Sequence, residues 1–419
     1  MSDFQPPLSV LHRAIAPGRT SPVAGAVPLD AILNAVRDMV PALRQEAAQT
    51  ERARRVPAHI SRQLQGAGVY RLMQPGCFGG YEYGFTALLD VVSELGRGCA
   101  SAAWSGTLGA IHGWLVSLFP EQAQRDVWDA NPDAVVCGSY APGGSIEAVG
   151  GGWRLSGQWK FASNVDNSDW AALGANLPPA EKGGAPEGAF LLVPRQDWAI
   201  LDDWQMAGQA GTGSKSVIIE QPVFVPAHRK LGFAEAGQGR APGLALHRNP
   251  LYRIPFLSAI PLCLVAPMIG NAQHAVEIFV ETAGLRVTRG GVAGAGNRVA
   301  QFPQVQSRVA SAAAAVDAAR LVVDRDTSEV EAVAAAGQPL PIDMRIRSRR
   351  GHTFATKLCL GAVQDILANV GATGMALDNP VQRLWRDGTM IAAHITLNWD
   401  GVSSMVGQHM LGLEPKGAY

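Results

Sequence analysis

The periodicity of the apolar residues changes twice along this chain, and those two changes restrict its architecture more than any single motif. From Pro28 to about Pro132, apolar positions recur every three or four residues, as with Ile32, Val36, Val40 and Leu43 in Asp30–Arg54. That is the repeat of an amphipathic helix. Pro57 interrupts the first helix, and the spacing predicts others over Ala58–Gly66, Phe85–Leu95 and Ser101–Phe119. Between Ala134 and Pro226 the chain turns to short runs such as Trp153-Arg-Leu-Ser, Ala189-Phe-Leu-Leu-Val and Ser216-Val-Ile-Ile-Glu, set between Gly-, Pro- and Asn-rich links. Short strands at such intervals predict a small barrel or sandwich. After Pro250-Leu-Tyr-Arg-Ile-Pro255 helical spacing returns over Phe256–Gly284, Pro303–Ala336, Pro341–Val370 and Pro380–Asp400, as in a bundle. The expected division is a helical domain over 28–133, a β domain over 134–240 and a helical bundle over 241–419. Ahead of them a proline-containing arm, 1–27, is expected to be poorly ordered.

Acidic and basic residues balance at 35 each, so no basic surplus exists to hold nucleic acid or an anionic membrane. No stretch reads as the ~20 apolar residues of a membrane-spanning helix, and no signal peptide opens the chain. The five cysteines lack CxxC spacing, which implies neither a disulfide framework nor a metal site and favours the cytoplasm. With 47% apolar residues a large core is available, and the balance of features points to small-molecule chemistry.

The densest chemistry lies in Pro380–Asp400, PVQRLWRDGTMIAAHITLNWD. Leu384, Met390, Ile391 and Ile395 predict helix through most of it, with His394 the one side chain on it suited to proton transfer near neutral pH. Arg383, Arg386 and Asp387 precede it by two to three turns. A histidine after two alanines fits a packed core residue as well as a catalyst. Ser139 and Ser163 end strand-like runs, where a hydroxyl and backbone N–H groups can meet a flat heteroaromatic ring or simply build turns. Arg286, Arg289 and Arg298 suit either phosphate oxygens or solvated helix ends. The loop Gly290–Gly296 breaks the GxGxxG register and follows no strand, so a nicotinamide site is not expected. GxSxG and HExxH are absent, which removes support for serine hydrolase and zinc peptidase chemistry.

Several segments together resemble the acyl-CoA dehydrogenase fold from about residue 28 to 412. They are Gly79-Gly-Tyr-Glu82, the run Trp153 to Ser163, Gly211-Thr-Gly-Ser214 leading to Val223-Phe-Val-Pro226, and Arg383-Leu-Trp-Arg-Asp387. The resemblance implies an α+β protein with an N-terminal α domain, a middle β-barrel domain and a C-terminal four-helix bundle. Dehydrogenases of that fold carry a catalytic glutamate near the last segment; here Ala392-Ala-His394 stands instead. This is similar to the two-component flavin-dependent monooxygenases, whose oxygenase component takes reduced FMN or FAD from a separate NAD(P)H-flavin reductase. With O2 it hydroxylates an aromatic or heteroaromatic substrate through a C4a-hydroperoxyflavin. The resemblance implies that His394 is the base, that His112 and Ser139, 27 residues apart, are its catalytic partners, and that Trp104 and Asn167 border the substrate. It places flavin contacts at Ser139, Phe161, Ala162, Ser163, Arg289, Ala372 and Thr373, and implies a homotetramer. Trp114 and Phe161 are possible aromatic walls of the pocket or packing residues. The alternatives are an acyl-CoA dehydrogenase-type flavoprotein, and N- or S-oxygenation on the same scaffold.

Overall fold

α1, Leu29–Ala53, buries Ile32, Leu33, Val36, Val40, Leu43 and Ala47 on one face. It ends where Arg54 turns left-handed, φ 51°. α2, Ala58–Gly66, starts directly after Pro57. This computed structural model describes residues 22–179, 183–284, 286–287 and 298–419. Arg289, Gly290–Gly296 and most of the 1–27 arm lie outside them. α3, Phe85–Gly98, and α4, Ala100–Val116, follow; every residue of α4 is buried. A short helix that the periodicity did not reveal, α5, Glu121–Trp128, packs through Ala123, Val127 and Trp128.

Among the described residues the strand region forms two four-stranded sheets. β1 (Val136–Ser139) runs parallel to β4 (Trp170–Leu177), which pairs with β5 (Glu187–Pro194), which pairs with β8 (Lys230–Gly232). The second sheet orders β2 (Ser145–Val149), β3 (Gly152–Trp159), β7 (Ser216–Pro226) and β6 (Ala199–Leu201), with an irregularity between Leu155 and Gly157. Leu155, Trp159, Leu173, Leu191 and Val217 fill a core of their own between the sheets. A five-residue helix, α6, Phe233–Gly237, closes this part.

α7, Phe256–Ala283, is the central helix of the helical core. Among the described residues it alone is long and apolar enough to cross a membrane, which corrects the expectation that no stretch would be. Of its most apolar window 89% is buried inside the fold, so its hydrophobicity is that of a core helix. It meets α3 backbone to backbone: a Cβ on Gly270 would lie 2.1 Å from the Ser93 carbonyl oxygen, and one on Gly96 2.8 Å from that of Pro267. A side chain at either crossing point would force the helices apart. α8 (Pro303–Ala335) and α9 (Ile342–Val370) complete the long helices close to their expected bounds.

The segment Pro380–Asp400 departs from the continuous helix expected of it. α10 spans Pro380–Ala392, started by the Asn379 side chain accepting from Val381 N. α11 spans Trp399–Met410, started by Asn398 accepting from Gly401 N. His394 therefore sits in the turn between two helices, and Ile395 is 84% exposed rather than part of an apolar face. The turn is pinned from α9, where the buried Arg349 donates from Nη1 to the Thr396 carbonyl at 2.8 Å. That carbonyl faces a cation instead of continuing a helical ladder, and the Asn398 cap restarts the helix.

Candidate active site

Trp104, on α4, brings two of the expected residues together. Its indole N–H donates to Ser163 Oγ at 3.0 Å, and its ring lies 5.7 Å, centroid to centroid, from the imidazole of His394. Indole N–H groups buried in proteins need an acceptor, and here the acceptor belongs to the β domain. One side chain thus links the N-terminal helices, the segment after β3 and the turn after α10.

The Thr396 side chain and backbone hold the His394 ring. Nδ1 lies 2.9 Å from Thr396 Oγ1 and accepts from Thr396 N at 3.3 Å. A backbone N–H only donates, so that longer contact suits the tautomer with its proton on Nε2. The opposite tautomer is also supported, with Nδ1–H donating to the threonine oxygen. Burial, and secondarily the charge of Arg349, depress the His394 pKa to about 4. Arg349 itself is buried, donates to the carbonyls of Thr396 and Ala418, and has its pKa pushed down to about 10 by burial. Among the described residues no carboxylate lies within ion-pair reach of it. A cation without a counter-ion in a low-dielectric setting favours an anion nearby.

The Phe161–Asn164 segment is held in unusual backbone. Phe161 and Asn164 both have positive φ, 64° and 62°, a conformation that costs a residue with a Cβ on the order of 1 kcal/mol or more. Phe161 is nevertheless 60% exposed, edge-on to Trp204 at 5.8 Å. Ala162 N donates to Lys215 O, Ser163 N to Phe161 O and Asn164 N to Thr212 O. The backbone donors expected to meet a ring are therefore used within the protein, and the Ser163 hydroxyl remains. Ser163 Oγ lies 2.6 Å from Ser214 Oγ, which lies 2.7 Å from Thr212 Oγ1, whose hydroxyl donates to the Gln209 carbonyl at 2.8 Å. An exposed aromatic face on strained backbone, beside a buried hydroxyl with lone-pair capacity, fits a flat heteroaromatic ring.

α10 carries the support for that loop. Asp387 Oδ1 accepts from Gln209 N at 2.6 Å, and Arg386 bonds both Glu51 and the Ala207 carbonyl. Burial raises the Asp387 carboxyl to about 6. The Arg-x-x-Arg-Asp segment thus clamps residues 207–209 between α10 and α1.

His112 and Ser139 stand apart from this cluster in their bonding. His112 Nδ1 lies 2.7 Å from the Val136 carbonyl, which requires an N–H there, so Nε2 accepts from the Tyr140 hydroxyl at 2.7 Å. Both nitrogens are committed inside the protein, and burial lowers the pKa to about 4. The Ser139 hydroxyl donates to Lys160 O at 2.6 Å, leaving only acceptor capacity. Asn167 spends its amide on Val56 O and Asn164 Oδ1, at the seam with the first helices. Trp114 is fully buried with its N–H on Leu251 O. Ala372 and Thr373 occupy an exposed turn after α9, Thr373 bonding Val370 O. Arg286 caps the end of α9 through the Asn369 and Val370 carbonyls; Arg289 lies outside the described residues.

The chain matches two family models, acyl-CoA dehydrogenase N-terminal domain over residues 29–129 and C-terminal domain over 262–399. It is 47% identical over 381 residues to the oxygenase component of the FADH2-dependent resorcinol hydroxylase of Rhizobium sp. (strain MTP-10005), covering 90% of this chain and 93% of that one. The chain belongs to the flavin-dependent monooxygenases, as an oxygenase component. Two solved oxygenases superpose on it: 3-HSA hydroxylase from Rhodococcus sp. RHA1, with 32% identity, TM-score 0.85 and coverage of 93% and 98%, and XiaF from Streptomyces sp. in complex with FADH2 and glycerol, with 27% identity, TM-score 0.84 and coverage of 93% and 97%.

Sequence reasoning about this oxygenase missed Tyr140, Gln209, Thr212, Ser214, Arg349 and Thr396. The Gly211-Thr-Gly-Ser214 run was visible as a marker, but nothing in it said that its hydroxyls reach Ser163. Thr396, two residues beyond His394, was the one partner that local spacing put within reach.

Proposed function

We propose that this oxygenase uses reduced FMN or FAD and O2 to hydroxylate a small phenolic substrate held beside His394 and Trp104. The observation that carries the reading is the convergence of His394 and Ser163 on the one indole of Trp104. The resorcinol hydroxylase relative favours a phenol. Bound reduced flavin supplies activation of O2. It would lie along Phe161 and Ser163, with Ala162 packed beneath.

The protein's own residues polarise the substrate. With Nδ1–H turned to Thr396 Oγ1, His394 Nε2 accepts the hydrogen bond of a phenolic hydroxyl and draws electron density onto the ring. A pKa near 4 makes the isolated imidazole a weak base. A phenolate forming beside it raises that basicity, because the new ion pair is worth most where water is excluded. The uncompensated charge of Arg349 favours the same anion. Such assistance contributes on the order of 10²–10⁴-fold. His112 acts at one remove, fixing Tyr140 and β1, while Ser139 ties β1 to the Lys160 carbonyl and Asn167 ties Asn164 to Val56.

The acyl-CoA dehydrogenase reading needs a carboxylate where His394 stands, and residues 393–398 supply none. In a homotetramer, neighbouring copies would cover the exposed apolar side chains of the C-terminal region, among them Leu377, Ile395 and Leu411. A cytoplasmic setting agrees with the five free thiols. The flavin reductase partner is the usual source of reduced flavin in a two-component system, reaching this protein by diffusion of the cofactor.

Replacement His394→Ala tests the reading. Hydroxylated product from a phenol falls by about 10² or more while hydrogen peroxide release continues. An unchanged rate of phenol hydroxylation removes His394 from the chemistry.

A further inference from the structure

The direction of every hydrogen bond in the chain Trp104–Ser163–Ser214–Thr212–Gln209 is fixed by its two ends. At one end an indole N–H can only donate, and it donates to Ser163 Oγ. At the other a carbonyl oxygen can only accept, and the 2.8 Å contact between it and Thr212 Oγ1 requires the threonine's proton. Trp204 Nε1 and Thr212 N also point at that carbonyl, at 3.2 and 3.1 Å, both longer than the hydroxyl contact. With its proton spent, Thr212 Oγ1 must accept from Ser214, 2.7 Å away. Ser214, with its own proton spent, must accept from Ser163 at 2.6 Å. The chain runs one way, from Trp104 to the Gln209 carbonyl.

Ser163 is left with no free proton and one free lone pair. Toward a ligand it can accept a hydrogen bond and cannot give one. The whole chain is buried: Trp104, Ser163, Ser214 and Thr212 are each at most 7% exposed, so water does not rescue a mismatch.

We propose that this one-way chain makes Ser163 an obligate acceptor toward bound flavin, so that the site selects the reduced cofactor over the oxidised one, with Ser214 and Thr212 as positioning residues. The inference rests on the reading that Ser163 meets the central ring of the flavin at N5. Reduced flavin carries an N–H at N5, the complement of a serine lone pair. Oxidised flavin presents a lone pair there, and two lone pairs facing one another in a dry site repel. To greet the oxidised form with a hydrogen bond, Ser163 must withdraw its proton from Ser214 and break the chain. An oxygenase fed by diffusing reduced flavin gains from such a sense, since the spent cofactor is then the weaker ligand.

The test is an anaerobic titration of full-length protein with reduced and oxidised flavin, read by flavin fluorescence and absorbance, in wild type and the variants Ser214→Ala, Thr212→Val, Ser214→Thr and Ser163→Ala. Ser214→Ala removes the acceptor for the Ser163 proton. Thr212→Val removes the acceptor for Ser214, which can then donate back to Ser163. Either change frees Ser163 to donate, so the oxidised form binds about tenfold more tightly and the preference for reduced flavin shrinks accordingly. Ser214→Thr keeps the hydroxyl and the wild-type preference. A loop merely loosened by mutation does not gain affinity for oxidised flavin. A preference that stays at its wild-type value in Ser214→Ala and Thr212→Val, or falls only through loss of the reduced form, overturns the inference while leaving the flavin site standing, provided Ser163→Ala weakens reduced-flavin binding. Wild-type affinities for both forms in Ser163→Ala show that Ser163 does not meet the flavin, and the reading of the site fails with the inference.

Discussion

Trp104 holds Ser163 by a 3.0 Å hydrogen bond while its ring lies against His394, 5.7 Å between centroids. Removing only the N–H separates the two roles. Trp104→Phe keeps an aromatic ring beside His394 and leaves Ser163 without its donor. The expected cost is about 1 kcal/mol of unfolding free energy, read from urea unfolding, with weaker binding of reduced flavin and more hydrogen peroxide per product formed.

Thr396 is the partner that lets His394 present a lone pair at Nε2. Thr396→Val leaves only the backbone N–H at Nδ1, which holds the proton on Nε2. Product formation from a phenol then drops by about tenfold. Reduced-flavin affinity, measured anaerobically, stays at its wild-type value. A matching fall in flavin affinity would show that Thr396 shapes the cofactor site instead.

The loop carrying Gln209 rides directly on α10. A Cβ on Gly208 would lie 2.1 Å from the Arg386 carbonyl oxygen. Gly208→Ala therefore lifts the loop from the helix, at about 1–3 kcal/mol, and lengthens the Gln209 N to Asp387 bond. The same variant should bind reduced flavin more weakly, and thermal unfolding with and without flavin separates the two effects.

Burial holds His112 neutral, with a pKa near 4 against 6.5 in the unfolded chain. Between those values the unfolded state binds the extra proton, so stability is lost as pH falls from 6.5 toward 4 and the effect levels off below that. Above pH 6.5 it contributes nothing to the slope. The window is worth about 3 kcal/mol for a group this buried. His112→Gln removes one proton from the uptake on unfolding at pH 5, and the acid slope becomes shallower by about 1.4 kcal/mol per pH unit. An unchanged slope would mean that His112 is already protonated in the native protein.

The domain order was legible because burial imposes a period, and α1, α7, α8 and α9 fall within a residue or two of where Ile32, Phe256, Pro303 and Pro341 place them. His394, Ser163 and Trp104 were also legible as chemistry-bearing residues. Their meeting was not, since it depends on the packing of α4 against segments 59 and 290 residues further along the chain. The helix break before His394 escaped notice because Arg349, on another helix, turns the Thr396 carbonyl. Local propensity carries no sign of that contact. The bonding of His112 was hidden for the same reason: Tyr140, its partner, sits in the next domain.

The most direct measurement is anaerobic titration of the purified protein with oxidised and then reduced FMN and FAD, followed by admission of oxygen with a resorcinol-like phenol present. The account predicts reduced flavin bound at least about tenfold more tightly than oxidised flavin, and hydroxylated phenol formed in proportion to the reduced flavin supplied. Tight binding of oxidised FAD, bleached by an acyl-CoA thioester and giving no hydroxylated product, would contradict it.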